Sequence, residues 1–187
     1  TGSSSFEFDN LGHVIQETKT VDGTPYVFQG GFDLLERLTS LTYPDGEAVA
    51  YAYNAQGGLE RVASTSTTYV SNIDYNATDQ PIKLAYGNGA ATDYTYDPQT
   101  LRLSSLRTSN SELQTLQDFR YTYDKVGNIT KLEDLTSAQT QTFSYDDLDR
   151  LTLASGLYGA PSFSYDATGN LTAKGATTLT YGNPNGS

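Results

Sequence analysis

The residues of this sequence with the most chemical potential are carboxylates and aromatic rings that recur together. An aromatic residue followed directly by Asp or Asn occurs eight times, at a mean spacing of about 22 residues. The aromatic members are Phe8, Phe32, Tyr53, Tyr75, Tyr96, Tyr123, Tyr145 and Tyr165, and the Asx members are Asp9, Asp33, Asn54, Asn76, Asp97, Asp124, Asp146 and Asp166. Asx oxygens suit Ca²⁺, and rows of aromatic rings can stack on sugars. A calcium ladder and a sugar-binding platform are therefore the candidate chemistries.

Both columns also have a structural explanation, which we favour. An Asx side chain that opens a turn accepts bonds from backbone N–H groups a few residues on, and one Asx per turn need not bring several oxygens to one point. Aromatic residues on one face of a sheet stabilise it through cross-strand pairs. We therefore predict no metal and no cofactor, and keep sugar stacking as an alternative.

Catalytic groups are scarce. The chain has no Cys, which excludes thiolate nucleophiles, disulfides and zinc–thiolate sites, and its one His is His13. His13 falls in the same repeat column as Arg37 and Arg150, so we expect a surface turn residue and not a catalytic base. The carboxylate pairs Asp146-Asp147 and Glu133-Asp134 are interpreted as turn and loop residues. We predict no catalytic residue and no enzyme.

Composition limits the partners. The 187 residues carry 22 acidic and 11 basic side chains, a net charge of -11, which disfavours nucleic acid. No apolar run approaches the length of a membrane span. The 12% aromatic content argues against disorder, and the 17 Gly point to strands joined by tight turns. An acidic chain without Cys is typical of a protein that is secreted or on the bacterial cell surface.

Each repeat has the pattern of a β-hairpin. Aromatic residues alternate with Thr or Ser before the Asx, as in a strand. At the fourth turn position Gly12, Gly57, Gly127 and Gly169 can supply the positive φ of a turn with a bulge, and the other copies have Glu36, Asp79, Thr100 and Asp149 there. In copies four (Asn76 to Ile82) and five (Asp97 to Leu103) the next apolar residue comes one place late, so we expect one extra loop residue in both.

Other signals complete the fold prediction. Tyr43-Pro44-Asp45-Gly46 and Tyr86-Gly87-Asn88-Gly89 fit a second family of hairpin turns. Apolar residues of the return strand are often three places apart, which indicates a bulge and sheet curvature. Residues 109–117 are expected to be a loop insertion or one helical turn. We predict an all-β fold, with tandem β-hairpins forming a long, twisted antiparallel meander. Residues 1–5 would be a linker or cloning remnant, 6–183 an array of eight units with a truncated ninth from Leu179, and 184–187 a tail.

The octets starting at Tyr123, Tyr145 and Tyr165, such as Tyr165-Asp166-Ala167-Thr168-Gly169-Asn170-Leu171-Thr172, resemble the YD repeat of RHS proteins, Y-D-x-x-G-(R/N)-L-T. The resemblance covers about residues 6 to 183. In RHS and insecticidal toxin-complex proteins such arrays spiral into a hollow β-shell around a C-terminal toxin, and teneurins carry a similar barrel. The bacterial members end in an autoprotease motif, D-P-x-G; Asp97-Pro98 lacks its Gly, so no protease residue is carried over.

The resemblance implies a non-enzymatic structural segment of a secreted RHS-type protein, part of a curved or spiral β-shell enclosing toxin cargo. Its partners would be neighbouring repeats and cargo within its own polypeptide, with possible self-association through strand edges, and neither nucleic acid nor a membrane. The alternative is an extracellular binding module that recognises carbohydrate or a partner protein through Tyr-rich faces.

Overall fold

The computed structural model describes residues 2–181, which form β-strands joined by turns. The strands are β1 (Gly2–Phe8), β2 (Val14–Val21), β3 (Thr24–Phe32), β4 (Leu38–Thr42), β5 (Ala48–Tyr53), β6 (Leu59–Ser64), β7 (Thr68–Tyr75), β8 (Pro81–Tyr86), β9 (Ala91–Tyr96), β10 (Leu103–Ser109), β11 (Thr115–Tyr123), β12 (Ile129–Asp134), β13 (Gln139–Tyr145), β14 (Leu151–Ser155), β15 (Phe163–Tyr165), β16 (Leu171–Lys174) and β17 (Thr177–Thr178). Within this range no helix could cross a membrane.

The strands pair in the order of the sequence. β1 to β14 form one 14-stranded sheet in which each strand pairs with the next, and β15 to β17 form a three-stranded sheet. The all-β antiparallel meander predicted from the sequence is confirmed. By contacts the chain divides into two compact units, one running up to Asp93 with Asn110–Glu112, the other comprising Tyr94–Ser109 and the residues from Leu113 on.

A bulge follows nearly every repeat turn, as the apolar spacing predicted. Ser144 pairs with Leu153, but the next residue, Tyr145, pairs with Leu151, which leaves Thr152 unpaired. The same shift occurs after the turns of copies one to four, six and eight. Because two residues oppose one, the following apolar residue returns to the same face three places on.

The two turns expected to carry an extra residue differ from each other. In copy four the Asn76 amide donates to the Gln80 carbonyl at 2.9 Å, and Asp79 has φ 59°, as in a regular copy. The prediction of an extra residue there is wrong, because Pro81 takes the first strand position, where a missing N–H is tolerated. Copy five does have the extra residue, since the Asp97 amide donates to the Arg102 carbonyl at 2.8 Å.

The extra residue of copy five moves its left-handed position. Leu101, and not the expected Thr100, has a positive φ of 58°. Its amide donates to the Asp97 carbonyl at 2.8 Å, so the turn closes one residue later than in the other copies. Thr100 instead donates its hydroxyl to the Asp97 side chain at 2.8 Å.

Two boundary expectations also change. Residues 2–5, expected in a linker, belong to β1, where Gly2 pairs with Val21. Within residues 109–117, Ser109 ends β10 and Thr115–Gln117 begin β11, so the loop is only residues 110–114 and no helical turn forms. The second turn family is confirmed: Tyr43 and Tyr86 each open a hairpin turn closed by a backbone bond, to Glu47 and Ala90. Residues 182–187, with the expected tail, lie outside the described residues.

The buried core is thin. Among the described residues only Val49, Ala63, Ala154 and Thr92 are buried, and β1 is exposed along its whole length. Most aromatic residues of the repeats are half-buried. Burial in a continuous interior is therefore a small part of what holds this sheet together, and contacts along the sheet between neighbouring copies carry more of it.

Candidate functional site

The Asx side chain of each repeat is occupied by its own turn. In copy seven, Asp146 Oδ1 accepts the backbone amides of Leu148 and Arg150, both at 3.0 Å. The Asx oxygens of copies one, two, three, four, six and eight accept the same pair of amides. In copy five, Asp97 accepts the amides of Gln99 and Thr100. The Asx side chain thus stabilises the turn in every copy by accepting bonds from its backbone amides.

We name the residue directly before the return strand the cap residue, and in copies one, two, six, seven and eight the second Asx oxygen bonds to its side chain. The cap residues are His13, Arg37, Gly58, Gln80, Arg102, Asn128, Arg150 and Asn170. Arg150 Nε donates to Asp146 Oδ2 at 2.7 Å, and Arg37 Nε donates to Asp33 Oδ2 at 2.8 Å. His13 Nδ1 lies 2.7 Å from Asp9 Oδ2. In these five copies the cap side chain is therefore held by its own repeat.

These bonds favour the ionised carboxylates. The Arg150 side chain is the largest cause of a lowered pKa at Asp146, and the Arg37 side chain has the same effect on the pKa of Asp33. At Asp124 desolvation raises the pKa, but bonds from the amides of Gly127 and Asn128 outweigh it. Bonds from Thr168, then Asn170, lower the pKa of Asp166 to about 2. A hydrogen-bonded carboxylate with such a pKa is a poor general base near neutral pH.

In copies one, two, five and seven the cap residue contacts the aromatic ring of the next copy. The Arg37 guanidinium lies 4.3 Å from the centre of the Tyr53 ring, and that of Arg150 lies 4.7 Å from the Tyr165 ring. The His13 ring stacks on Phe32 at 4.5 Å. We name the junction between the cap residue of one copy and the repeat aromatic of the next copy a seam. Cation–π contacts of this kind contribute about 0.5–1 kcal/mol at exposed sites.

At six of the junctions between copies a tyrosine hydroxyl also bonds to the preceding copy. Tyr145 donates its hydroxyl to the carbonyl of Ile129 at 2.8 Å, which lies in the return strand of the preceding copy. Five further tyrosines donate in the same way at 2.7–2.9 Å, namely Tyr53, Tyr75, Tyr123, Tyr165 and Tyr181. The acceptor is always the residue after the cap. The repeat tyrosine therefore makes a bond between copies that was not expected from the sequence. The preference for Tyr over Phe in this column is the sequence signal of that bond.

The Thr that ends the YD octet also has a role that the sequence analysis missed. Thr152 is the bulge residue of copy seven, and its hydroxyl donates to the Ser144 carbonyl at 3.1 Å. Thr39 and Thr130 do the same in copies two and six, at 3.2 Å each. The bond bridges the two strands where the bulge interrupts their pairing.

The cap of one copy is matched to the fourth turn position of the next. Where the cap is Arg102 the next copy has Gly127, and a Cβ there would lie 2.8 Å from the guanidinium. Where the cap is the smaller Asn128 the next copy has Asp149, and the Asn128 side-chain Nδ2 donates to Asp149 Oδ1 at 2.8 Å. The three arginine caps, Arg37, Arg102 and Arg150, are thus each followed by a copy with glycine at this position, and Asn128 is followed by a copy with a carboxylate there.

One seam lacks a cap side chain. The cap residue of copy three is Gly58, and it leaves a cleft of about 750 Å³ beside the Tyr75 ring. The cleft is lined by polar and acidic side chains, among them Asn54, Glu60, Asp74 and Asp79. A second cleft, of about 540 Å³, lies between Pro25, Tyr26, Phe28, Tyr43, Pro44, Asp45 and Glu47.

The other candidates from the sequence do not converge on one site. In residues 2–181 no group of three or more Asp, Glu or His side chains could hold a metal ion. His13 is only 17% exposed in its side chain, because it lies between Asp9 and Phe32 and is less exposed than a surface turn residue. Asp134 accepts the amides of Thr136 and Ser137 in a turn.

Comparison with known proteins gives relatives among toxin subunits. The chain is 32% identical over 116 residues to the toxin subunit YenC1 of Yersinia entomophaga and 31% identical over 126 residues to YenC2 of the same organism. The matches cover 54% and 59% of this chain but only 11% and 12% of those subunits. No protein-family profile matches the chain.

Solved structures with the same fold are toxin complexes. The crystal structure of the TcdB2–TccC3 complex matches with a TM-score of 0.76 and 23% identity, over 90% of this chain and 11% of that one. The Photorhabdus luminescens Tc holotoxin pore matches with a TM-score of 0.75 and 24% identity, over 96% and 11%. The resemblance to RHS proteins is thus confirmed: the chain is related in sequence to Yersinia toxin subunits and shares its fold with part of the Tc toxin structures.

Proposed function

We propose that this chain is a non-enzymatic structural segment of a secreted RHS-type toxin complex, in which it builds part of the wall of a hollow β-shell around a C-terminal toxin cargo. Similarity to toxin subunits and the shared fold support this proposal. Since the chain spans about a tenth of its relatives, its partners would be neighbouring repeats and cargo supplied by the same polypeptide.

The observation that carries the proposal is the use of the repeat side chains in seams. The repeat Asx carboxylates are engaged by their own turns, as at Asp146, and hydroxyls of repeat tyrosines such as Tyr145 donate to backbone carbonyls. A residue held this way positions strands and has little freedom to act on a substrate. The column of Asx and aromatic residues therefore serves architecture, without cofactor or metal.

The extent of the array is part of the proposal. Tyr181 donates its hydroxyl to the Leu171 carbonyl at 2.9 Å, the bond that marks the other seams. This supports a ninth copy that begins at Leu179, and residues 182 and 183, which we expected in the array, lie outside the described residues. At the other end the array would start in β1, since residues 2–5 pair with β2.

The exposed edge supports a further partner. β1 is exposed along its length, and Phe6 and Phe8 are 49% and 59% exposed. An unprotected edge strand pairs readily with another strand. We propose that this edge joins the preceding repeat of the longer polypeptide, or a second copy when the chain is isolated. A net charge of -11 disfavours nucleic acid as the partner, and we propose neither a nucleic acid nor a membrane partner.

Protease protection in the full-length protein tests the proposal. We expect the polypeptide beyond the array to survive protease concentrations that degrade it when it is expressed alone. Replacing Tyr145 and Tyr165 with Leu should loosen two seams and expose that polypeptide, whereas Tyr26→Leu, outside the seams, should leave it protected. Equal degradation in all of these proteins, or density outside a shell by electron microscopy, would contradict encapsulation.

The second cleft favours one alternative function, an extracellular module that binds carbohydrate through a Tyr-rich face. Tyr26 and Tyr43 line this cleft with exposed ring surface, and Asp45 and Glu47 beside them could accept bonds from sugar hydroxyls. A glycan array separates the two functions. Binding that is lost in Tyr26→Ala and Tyr43→Ala would support recognition, and no binding to any glycan would support the shell.

A further inference from the structure

We propose that the cleft beside Tyr75 binds a guanidinium group presented by an arginine side chain of a polypeptide segment. This inference goes beyond the proposed wall function, because it assigns a ligand to one seam that differs from the others. It rests on the missing cap at Gly58, on the arginines that fill the equivalent place elsewhere in the chain, and on the charge of the lining.

The missing cap is the first step. A Cβ at Gly58 would lie 3.1 Å from Tyr75 Cε2 and 3.2 Å from Asn54 Nδ2, so a side chain here would start directly against the ring. Gly58 has no such side chain, and a cleft of about 750 Å³ lies beside it. Gly58 has no positive φ, so its backbone does not require glycine.

The chain itself shows what fits this place. At the seam of copies seven and eight, the Arg150 guanidinium lies 4.7 Å from the Tyr165 ring centre, and its Nη1 lies 3.4 Å from the Asp166 carbonyl. Arg102 donates to the Asp124 carbonyl at 3.0 Å in the same way. The corresponding groups in the cleft are the Tyr75 ring and the Asn76 carbonyl.

The charge of the lining selects a cation. Asp79 occupies the fourth turn position of copy four, where Asp149 accepts the Asn128 amide in another seam. Glu60 and Asp74 also line the cleft, and the lining contains no Lys or Arg. A cleft lined by three carboxylates and an aromatic ring favours a cation that can contact the ring and donate several bonds, and guanidinium has that chemistry.

The cleft differs from a filled seam in one respect. Asn54 stands where six of the eight copies have Asp, so an incoming guanidinium lacks the carboxylate that holds Arg150 at Asp146. Binding of one isolated side chain should therefore be weak, about millimolar. An uncharged sugar could stack on Tyr75 but would make no use of the charge of the three carboxylates.

Nuclear magnetic resonance of the full chain tests the site. The probe is the peptide Gly-Arg-Gly with blocked ends, and the control is the same peptide with citrulline, which keeps the shape without the charge. We expect the arginine peptide to shift the amide signals of Tyr75, Asn76 and Asp79 saturably. The citrulline peptide should bind about tenfold more weakly or not at all.

Variants separate this site from general attraction to an acidic protein. Gly58→Arg with Asn54→Asp recreates the filled seam and should abolish the shifts, and Asp79→Asn should weaken binding about tenfold. Asp147→Asn, at an exposed turn outside the cleft, should bind as the parent chain does. Shifts spread over the whole acidic surface, equal binding of citrulline, a sugar that displaces the peptide, or binding retained in the filled seam would each overturn the proposal.

Discussion

Removal of one tyrosine hydroxyl measures what a seam contributes. In Tyr145→Phe the ring stays, and the bond from the hydroxyl to the Ile129 carbonyl, 2.8 Å long, is lost. A neutral hydrogen bond of this kind stabilises a fold by about 0.5–1.5 kcal/mol. Because Tyr145 is only half-buried, water can partly replace the lost donor. We expect a loss of about 1 kcal/mol.

Native-state hydrogen exchange is the suitable assay, since a repeat array need not unfold in one step. A loss of about 1 kcal/mol raises the opening constant of amides in β12 and β13 about fivefold. The matched control is Tyr26→Phe, whose ring is 44% exposed and whose change should stay within about 0.5 kcal/mol. If both variants exchange like the parent chain, the hydroxyl does not join the copies and the reasoning is refuted.

Two further predictions concern the turns. Gly169→Ala should destabilise the chain by about 1–2 kcal/mol, because φ is 91° there. Gly127→Ala should destabilise it more, because the new Cβ would also meet the Arg102 side chain. Urea midpoints equal to that of the parent chain would contradict both predictions. The pKa of Asp166 is about 2 in the fold against an ordinary 3.8, so its contribution is present above pH 3.8 and is lost as the pH falls toward 2. Asp166→Asn should therefore flatten the loss of stability over that pH window, as followed by circular dichroism, and an unchanged acid profile would count against the bonds described.

Local patterns in the sequence predicted the fold well. Alternating aromatics before an Asx, with Gly at a fixed offset, predict hairpins, and the three-residue apolar step predicts the bulges, because both depend on neighbouring residues alone. The failed prediction at copy four has the same basis: Pro81 at the strand position delays the apolar residue without lengthening the turn. Residues 2–5 were misjudged because small polar residues resemble a linker, although backbone pairing with β2 does not depend on side chains.

The seams could not be derived from one repeat at a time. The contact of Arg150 with Tyr165 and the bond of Tyr145 to Ile129 join different copies, and their geometry depends on the twist and register of the sheet. The match between a cap and the next turn position was nevertheless present in the sequence, as Arg before Gly and Asn before Asp. Comparing successive copies, and not only aligned columns, would have found this signal and the missing cap at Gly58.

The central claim is that the repeat side chains couple neighbouring copies, and a double-mutant cycle on one seam tests it most directly. Unfolding free energies would be measured for Arg150→Ala, Tyr165→Leu and the double variant, whose partners lie 4.7 Å apart. We predict a coupling energy of about 0.5–1 kcal/mol between the two residues. Strictly additive losses would contradict the claim.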